Sequence, residues 1–299
     1  RCWRVAAPGT EGTAAPPMFS SLVAVLASRR GSFSLPRRKE DYTFDRSTLQ
    51  SVRASACAGT ALPPVFFLLT STPNRADRLP VLLGTMRAQS HPPTGVVLSI
   101  PRVFARFNES YRLPGAAQWP ELRVHRLAAD AGPLSKYLGA LMLPAESIVV
   151  VGDDDMAYAR TFIEDFACAV ATQPADLVFS AVVDGSCGAL GGCVMGFRGV
   201  AMRAGMLRDV HLLDAVLARA GSPRACFLSD DVAISFYLKR MKGFHLRKLV
   251  RMRSRTSVDR ASSFLNGSLN LIHRAGNFEL NRGCARALLG KYADAQRKH

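Results

Sequence analysis

At 299 residues, 48% of them hydrophobic, the chain is long enough for one large or two small globular domains with a real core, which excludes disorder throughout. Its formal net charge of +16 favours anionic partners: nucleotide phosphates, a sulfated or uronic glycan, an anionic membrane surface or nucleic acid. The seven cysteines include no CxxC pair and no Cys/His spacing suited to zinc, and no apolar run approaches the roughly 18 residues that span a bilayer.

Residues 1–62 mix Ala, Pro, Gly, Ser and Arg without periodicity and are read as a disordered leader or targeting segment, so the fold is expected over 63–299. Within that segment Met18 opens MFSSLVAVLASRR, whose apolar centre is similar to a signal h-region without a basic n-region. From PVFFLLTSTPNR onward, short apolar runs alternate with amphipathic segments, the mark of βαβ units. Phe66–Thr70 is the first expected strand, with Thr70, Ser71, Pro73, Asn74 and Arg75 in the loop at its carboxyl end. A helix over RLPVLLGTMRAQ follows, then strands at Gly95–Ile100 and Leu122–Leu127. GPLSKYLGALML predicts a helix from near Pro133, a residue tolerated in a first turn. SIVVVGDDDMAY predicts a strand at Ile148–Val151, covered on both faces. A helix over 159–172 and a strand in DLVFSAVV come next. GGCVMGFRGVAMRAGML is irregular, and its glycines suggest close backbone approach or a bulge. DDVAISFYLKRMKG predicts a helix closed by Gly243, and FHLRKLV a last strand.

Three adjacent aspartates, Asp153, Asp154 and Asp155, end the fourth strand. Like charges about 4 Å apart repel by roughly 4 kcal/mol at an effective dielectric near 20, so something positive is needed beside them. The carboxyl end of a strand in an open α/β sheet is where ligands bind. A divalent cation carrying phosphate oxygens meets the requirement, since Mg2+ and Mn2+ favour carboxylate oxygen. A solvated acidic loop or a helix cap is the plainer reading, but the triplet stands several residues upstream of the next helix.

With Arg75 after the first strand, the triplet after the fourth, and Ser229-Asp230-Asp231 heading a later helix, residues 64–285 resemble a nucleotide-sugar-dependent glycosyltransferase of the GT-A fold. The triplet is similar to that of exostosin-like transferases, and the helix-heading pair to the broad family-2 group. The resemblance implies a single Rossmann-like α/β domain with a mostly parallel central sheet flanked by helices. It implies Mn2+ or Mg2+ as cofactor, a nucleotide-sugar donor, and a glycan or glycoconjugate acceptor hydroxyl. The class would be hexosyl- or N-acetylhexosaminyltransferase. Asp155 would hold the divalent ion, with Asp153, and His273 as a further ligand. Asp153 and Asp154 would also contact the ribose or sugar. Thr70, Ser71 and Arg75 match the nucleotide loop. Lys136, in the segment Asp130–Lys136, would reach a phosphate, with a solvated lysine as the alternative.

The chemistry divides between a Lewis acid on the departing phosphate and a general base on the acceptor. Asp231 is the candidate base and Asp230 the second; helix capping by Ser229 or Asp230 explains the same letters. The basic run Lys239–Arg255 is a solvated face, or else Arg251, Arg253 or Arg255 closes over the diphosphate. An anionic acceptor would suit the same patch. Cys187 and Cys193 form either a small disulfide loop or a pair of thiols. Sequons at Asn108 and Asn266 point towards the Golgi or endoplasmic reticulum lumen. Another metal-dependent phosphotransfer enzyme, a nucleotidyltransferase or a phosphatase, is the first rival. A phosphatase of the DxDx(T/V) type would need Thr or Val where Ala157 stands, and no GxxxxGK[ST] loop is present. A nucleic-acid binder is suggested by charge alone, and no nucleic-acid partner is expected.

Overall fold

The computed structural model describes residues 52–53, 57, 61–105, 107–113, 118–156, 158–184, 187, 190–211, 213, 226–250 and 281–290. All of them belong to one compact unit, Tyr42–His299. Its strands are β1 (Val52–Arg53), β2 (Val65–Leu69), β3 (Gly95–Pro101), β4 (Leu122–Leu127), β5 (Ile148–Val151), β6 (Leu177–Ser180), β7 (Val183–Asp184), β8 (Cys193–Val194), β9 (Val200–Arg203) and β10 (His245–Val250). The helices are α1 (Leu79–Arg87), α2 (Ser135–Leu138), α3 (Phe162–Thr172), α4 (Asp230–Phe236) and α5 (281–290).

Eight strands form one sheet in the order β1-β10-β6-β9-β5-β2-β3-β4, and β7 pairs with β8 separately. Every neighbouring pair in the large sheet is parallel except those made by β9, which runs antiparallel between β5 and β6. The expected α/β class with a mostly parallel sheet is therefore what the chain adopts. The antiparallel β9 lies inside the segment that the sequence left irregular.

The strands β2, β3 and β5 are buried along their whole length, as continuous apolar runs require when helices cover both faces. Alternation along β2 divides the core. Val65, Phe67 and Leu69 face α1 and α3, while Phe66 and Leu68 face Tyr137 and Leu138 of α2, then α4 and Leu288 of α5. Helix α1 meets the sheet through Leu79, Leu82, Leu83 and Met86, at offsets of 3, 4 and 7 from the first. Each fully buried Leu or Phe contributes about 1.5–3 kcal/mol.

Within the segment read as a leader, Val52–Arg53 extends the sheet beside Leu249–Val250, and Cys57 is disulfide-bonded to Cys168 of α3. Cys187 and Cys193 form the small loop that the sequence left open between two states. Cys226–Cys284 ties α5 to the turn before α4, a pairing that spacing did not signal.

The chain builds β2, β3 and β4 outward in one direction, then returns to place β5 on the other side of β2. The loops after β2 and β5 therefore leave neighbouring strands side by side at the switch point where the strand order reverses, and both lead to helices on the same face of the sheet. In open α/β sheets ligands bind beyond the carboxyl ends of the strands at such a point.

Candidate functional site

Both loops at the switch point are polar, and they are bonded to each other. β5 ends at Val151, and the backbone turns at Asp154–Asp155, so the three acids leave the strand in different directions. Gly152 makes the turn possible. A Cβ there would stand 2.7 Å from Phe67 Cζ and closer still to the Tyr158 hydroxyl. That hydroxyl accepts from Asp153 N–H at 2.7 Å and donates to the Asp153 carbonyl at 3.2 Å, fixing the backbone under the triplet. Gly152→Ala is accordingly expected to destabilise the fold by about 1–3 kcal/mol through overpacking. In thermal melts followed by circular dichroism that is a loss of roughly 3–10 °C; an unchanged melting temperature would show that Tyr158 yields without cost.

Asp154 turns inward and is 6% exposed. Its Oδ2 accepts from Ser71 Oγ at 2.5 Å and its Oδ1 from Arg75 Nη1 at 2.8 Å. Both oxygens are thus engaged by the β2 loop, so Asp154 holds the two loops together. Arg75, in the short turn Pro73–Arg78, also lies 3.1 Å from Asp155 Oδ2. Thr70 donates to the Ser99 carbonyl at 2.7 Å and so ties β2 to β3. Tyr111, unnoticed in the sequence, is buried, and burial pushes its phenol up to about 12.

Lys136, placed by α2, is no solvated helix lysine: the residue is 2% exposed. Its Nζ stands 2.6 Å from Asp153 Oδ1 and 2.8 Å from Asp230 Oδ2, joining the strand-end acids to the pair on α4. Burial alone would lower the Lys136 pKa, but the charges of Asp153 and Asp230 outweigh it and keep the ammonium protonated. The Asp130 half of the expected nucleotide segment holds loops in place: its carboxylate accepts from Ala105 N–H at 2.9 Å and from Gly132 N–H at 2.8 Å.

Ser229 takes the N-cap position of α4 without a side-chain capping bond, and Asp230 and Asp231 occupy the first turn. Asp231 Oδ1 accepts from Gly196 N–H at 2.7 Å. Ser235, one turn on, accepts from Val194 N–H and donates to the Asp231 carbonyl. The glycine-rich segment flagged in the sequence is therefore the brace of the α4 acids. Burial, and then the charge of Asp230, raises the Asp231 pKa well above the carboxylate range, with Lys136 opposing. Asp155 is pushed up to about 6 by burial and by Asp153, with Arg75 opposing.

Five carboxylates, Asp153, Asp154, Asp155, Asp230 and Asp231, thus gather around two cations, Arg75 and Lys136. Among the described residues no three His, Cys, Asp or Glu side chains converge as a ready-made metal cluster. The excess of carboxylates over these cations, with their hard oxygen donors, nevertheless suits a divalent cation that brings further oxygens with its ligand. His273 and Arg255, as well as Arg251 and Arg253, lie outside the described residues.

No protein-family model and no curated protein sequence matches this chain. Solved structures similar to it include mannosyltransferase PcManGT from Pyrobaculum calidifontis in complex with GDP-mannose and Mn2+. That likeness has 16% identity over 79% of this chain and 76% of that one, with a TM-score of 0.40. The 2-C-methyl-D-erythritol 4-phosphate cytidylyltransferase of Francisella tularensis is similar at 10% identity over 68% of this chain and 98% of its own, TM-score 0.36. TarS of S. aureus is similar at 12% identity over 77% and 91%, TM-score 0.35. At such identities and scores none of them assigns an activity to this chain.

Proposed function

We propose that this protein is a metal-dependent glycosyltransferase that moves a sugar from a nucleoside-diphosphate donor to a hydroxyl of a glycan or glycoconjugate. The observation that carries the reading is the cluster at the switch point, where the β5 triplet and the Asp230–Asp231 pair meet on Lys136. Strand-end acids with an excess of negative charge suit a cation and diphosphate, and a separate carboxylate of raised pKa suits proton removal. Asp153 and Asp155 would hold Mn2+ or Mg2+, which when bound supplies Lewis acidity to the departing phosphate. Asp231, oriented by Gly196 N–H, takes the acceptor proton, and Asp230 raises its basicity. Arg75 keeps the two loops at the distance the donor needs. The net charge of +16 favours an anionic acceptor. Three disulfides and an exposed Asn108 in a sequon support an oxidising compartment, the Golgi or endoplasmic reticulum lumen. Among the described residues no helix is long and apolar enough to cross a membrane.

The test is a panel of nucleotide sugars offered with Mn2+ and an oligosaccharide mixture, with products separated by chromatography. Release of a nucleoside diphosphate, abolished by chelator, is expected. Pyrophosphate release from a nucleoside triphosphate and a sugar phosphate would instead identify a nucleotidyltransferase.

Asp155 also sets a pH dependence. Its proton leaves near pH 6, and only the ionised form binds a cation, so Mn2+ affinity is expected to fall about tenfold per unit below that value. Calorimetric titrations at pH 5, 6 and 7 check this, and a flat series would remove Asp155 from the ligand set.

A further inference from the structure

One buried ammonium already occupies the place where the two halves of the proposed site meet. Lys136 Nζ contacts Asp153 on the donor side and Asp230 on the acceptor side. A Cβ on Gly196 would stand 2.8 Å from this Nζ and 3.1 Å from Asp231 Oδ1, so the second α4 acid crowds the same point. Arg75 differs: its shortest contact is with Asp154, which Ser71 also holds, it reaches Asp155 at 3.1 Å, and it joins the two strand-end loops to each other.

We propose that Lys136 is the resident counter-ion of the acid cluster: it holds Asp153 and Asp230 together in the unliganded protein and yields Asp153 to an incoming divalent cation. This inference rests on the reading of the site given above. A cation on Asp153 and an ammonium 2.6 Å from the same carboxylate repel each other, and a buried pair is screened less than an exposed one. Cation binding without a diphosphate is therefore disfavoured. When a diphosphate arrives, it supplies the anion that the displaced ammonium needs, and Lys136 can turn to it while remaining beside Asp230. Lys136 is thus a positioning residue that discourages loading by the metal alone and favours loading together with the donor. Coupling of this kind is reciprocal: whatever the diphosphate does for the cation, the cation does for the diphosphate.

A brace and a counter-ion predict opposite signs. Loss of a brace would weaken every ligand, whereas loss of a competing charge tightens the cation alone. Calorimetric titration of Mn2+ alone is expected to give a Kd about tenfold lower in Lys136→Met than in the wild type. UDP or GDP, titrated at saturating Mn2+, is expected to bind that variant about tenfold more weakly. Lys136→Arg keeps the charge and is expected to stay near the wild-type Mn2+ value. Removing one partner of a buried pair is costly, so Lys136→Met together with Asp230→Asn provides a charge-balanced variant in which the pair is replaced whole. It is expected to shift Mn2+ affinity in the same direction as the single change. Mn2+ binding that is unchanged or weaker in the variants that melt cooperatively overturns the proposal. If the wild type binds neither Mn2+ nor UDP or GDP, the reading of the site itself falls. If it binds them and the variants bind Mn2+ no tighter, only the counter-ion role falls.

Discussion

Asp155→Asn is expected to reduce sugar transfer by about a thousandfold, the scale of several kcal/mol of Lewis-acid stabilisation, while the unliganded fold becomes more stable. The second half of that expectation separates a functional acid from a structural one. The Asp155 pKa is raised from 3.8 to about 6, so the native state binds its proton more tightly than the unfolded chain does. Stability from that group is fully present below 3.8 and is lost as pH rises through about 6; at pH 7 the ionised side chain is a liability. An uncharged amide removes it, for a gain of at most about 3 kcal/mol. Transfer and thermal melts measured on the same preparation check both halves. Full transfer in Asp155→Asn would point to a mechanism without a metal at this acid, and a lowered melting temperature would show Asp155 to be an anchor for Arg75.

Asp231→Asn is expected to lower transfer by about 10²–10⁴-fold, the range of general-base catalysis, with Mn2+-dependent UDP or GDP binding within a factor of two or three of wild type. The amide keeps the size of the side chain and an oxygen for Gly196 N–H, so the brace from the glycine-rich segment survives. Asp230 then stands beside a neutral partner. Equal losses of transfer and nucleotide binding would move Asp231 out of the base role and into the donor site.

The sequence exposed the first half of the fold well because β2, β3 and β5 are uninterrupted apolar runs whose burial on both faces shows directly in their letters. β9 was not legible. It is four residues long, and it enters from Gly199, held at φ 96 with a Cβ position 2.7 Å from Phe162 Cζ, so the local letters suggest a turn. The acids were found, but not the contacts that each makes. Strand periodicity would have put Asp153 and Asp155 on one side; the backbone turns instead, and Asp154 is taken by Ser71 and Arg75. Lys136 gave no signal of its burial, since its two partners lie 17 and 94 residues further along the chain and only the topology brings them to it. Gly196 and Tyr158 act through a backbone N–H and a hydroxyl, which no motif marks.

The position of β9 also bears on how the polypeptide leaves the ribosome. Strands β5 and β6 are synthesised first, yet they do not touch, because the slot between them belongs to residues 200–203. Until those residues emerge, each of the two offers a bare row of amide and carbonyl groups to any strand nearby. The nascent chain therefore presents both open edges to self-association between the emergence of Ser180 and of Arg203 from the ribosome, and a pause in that interval favours aggregates over productive folding.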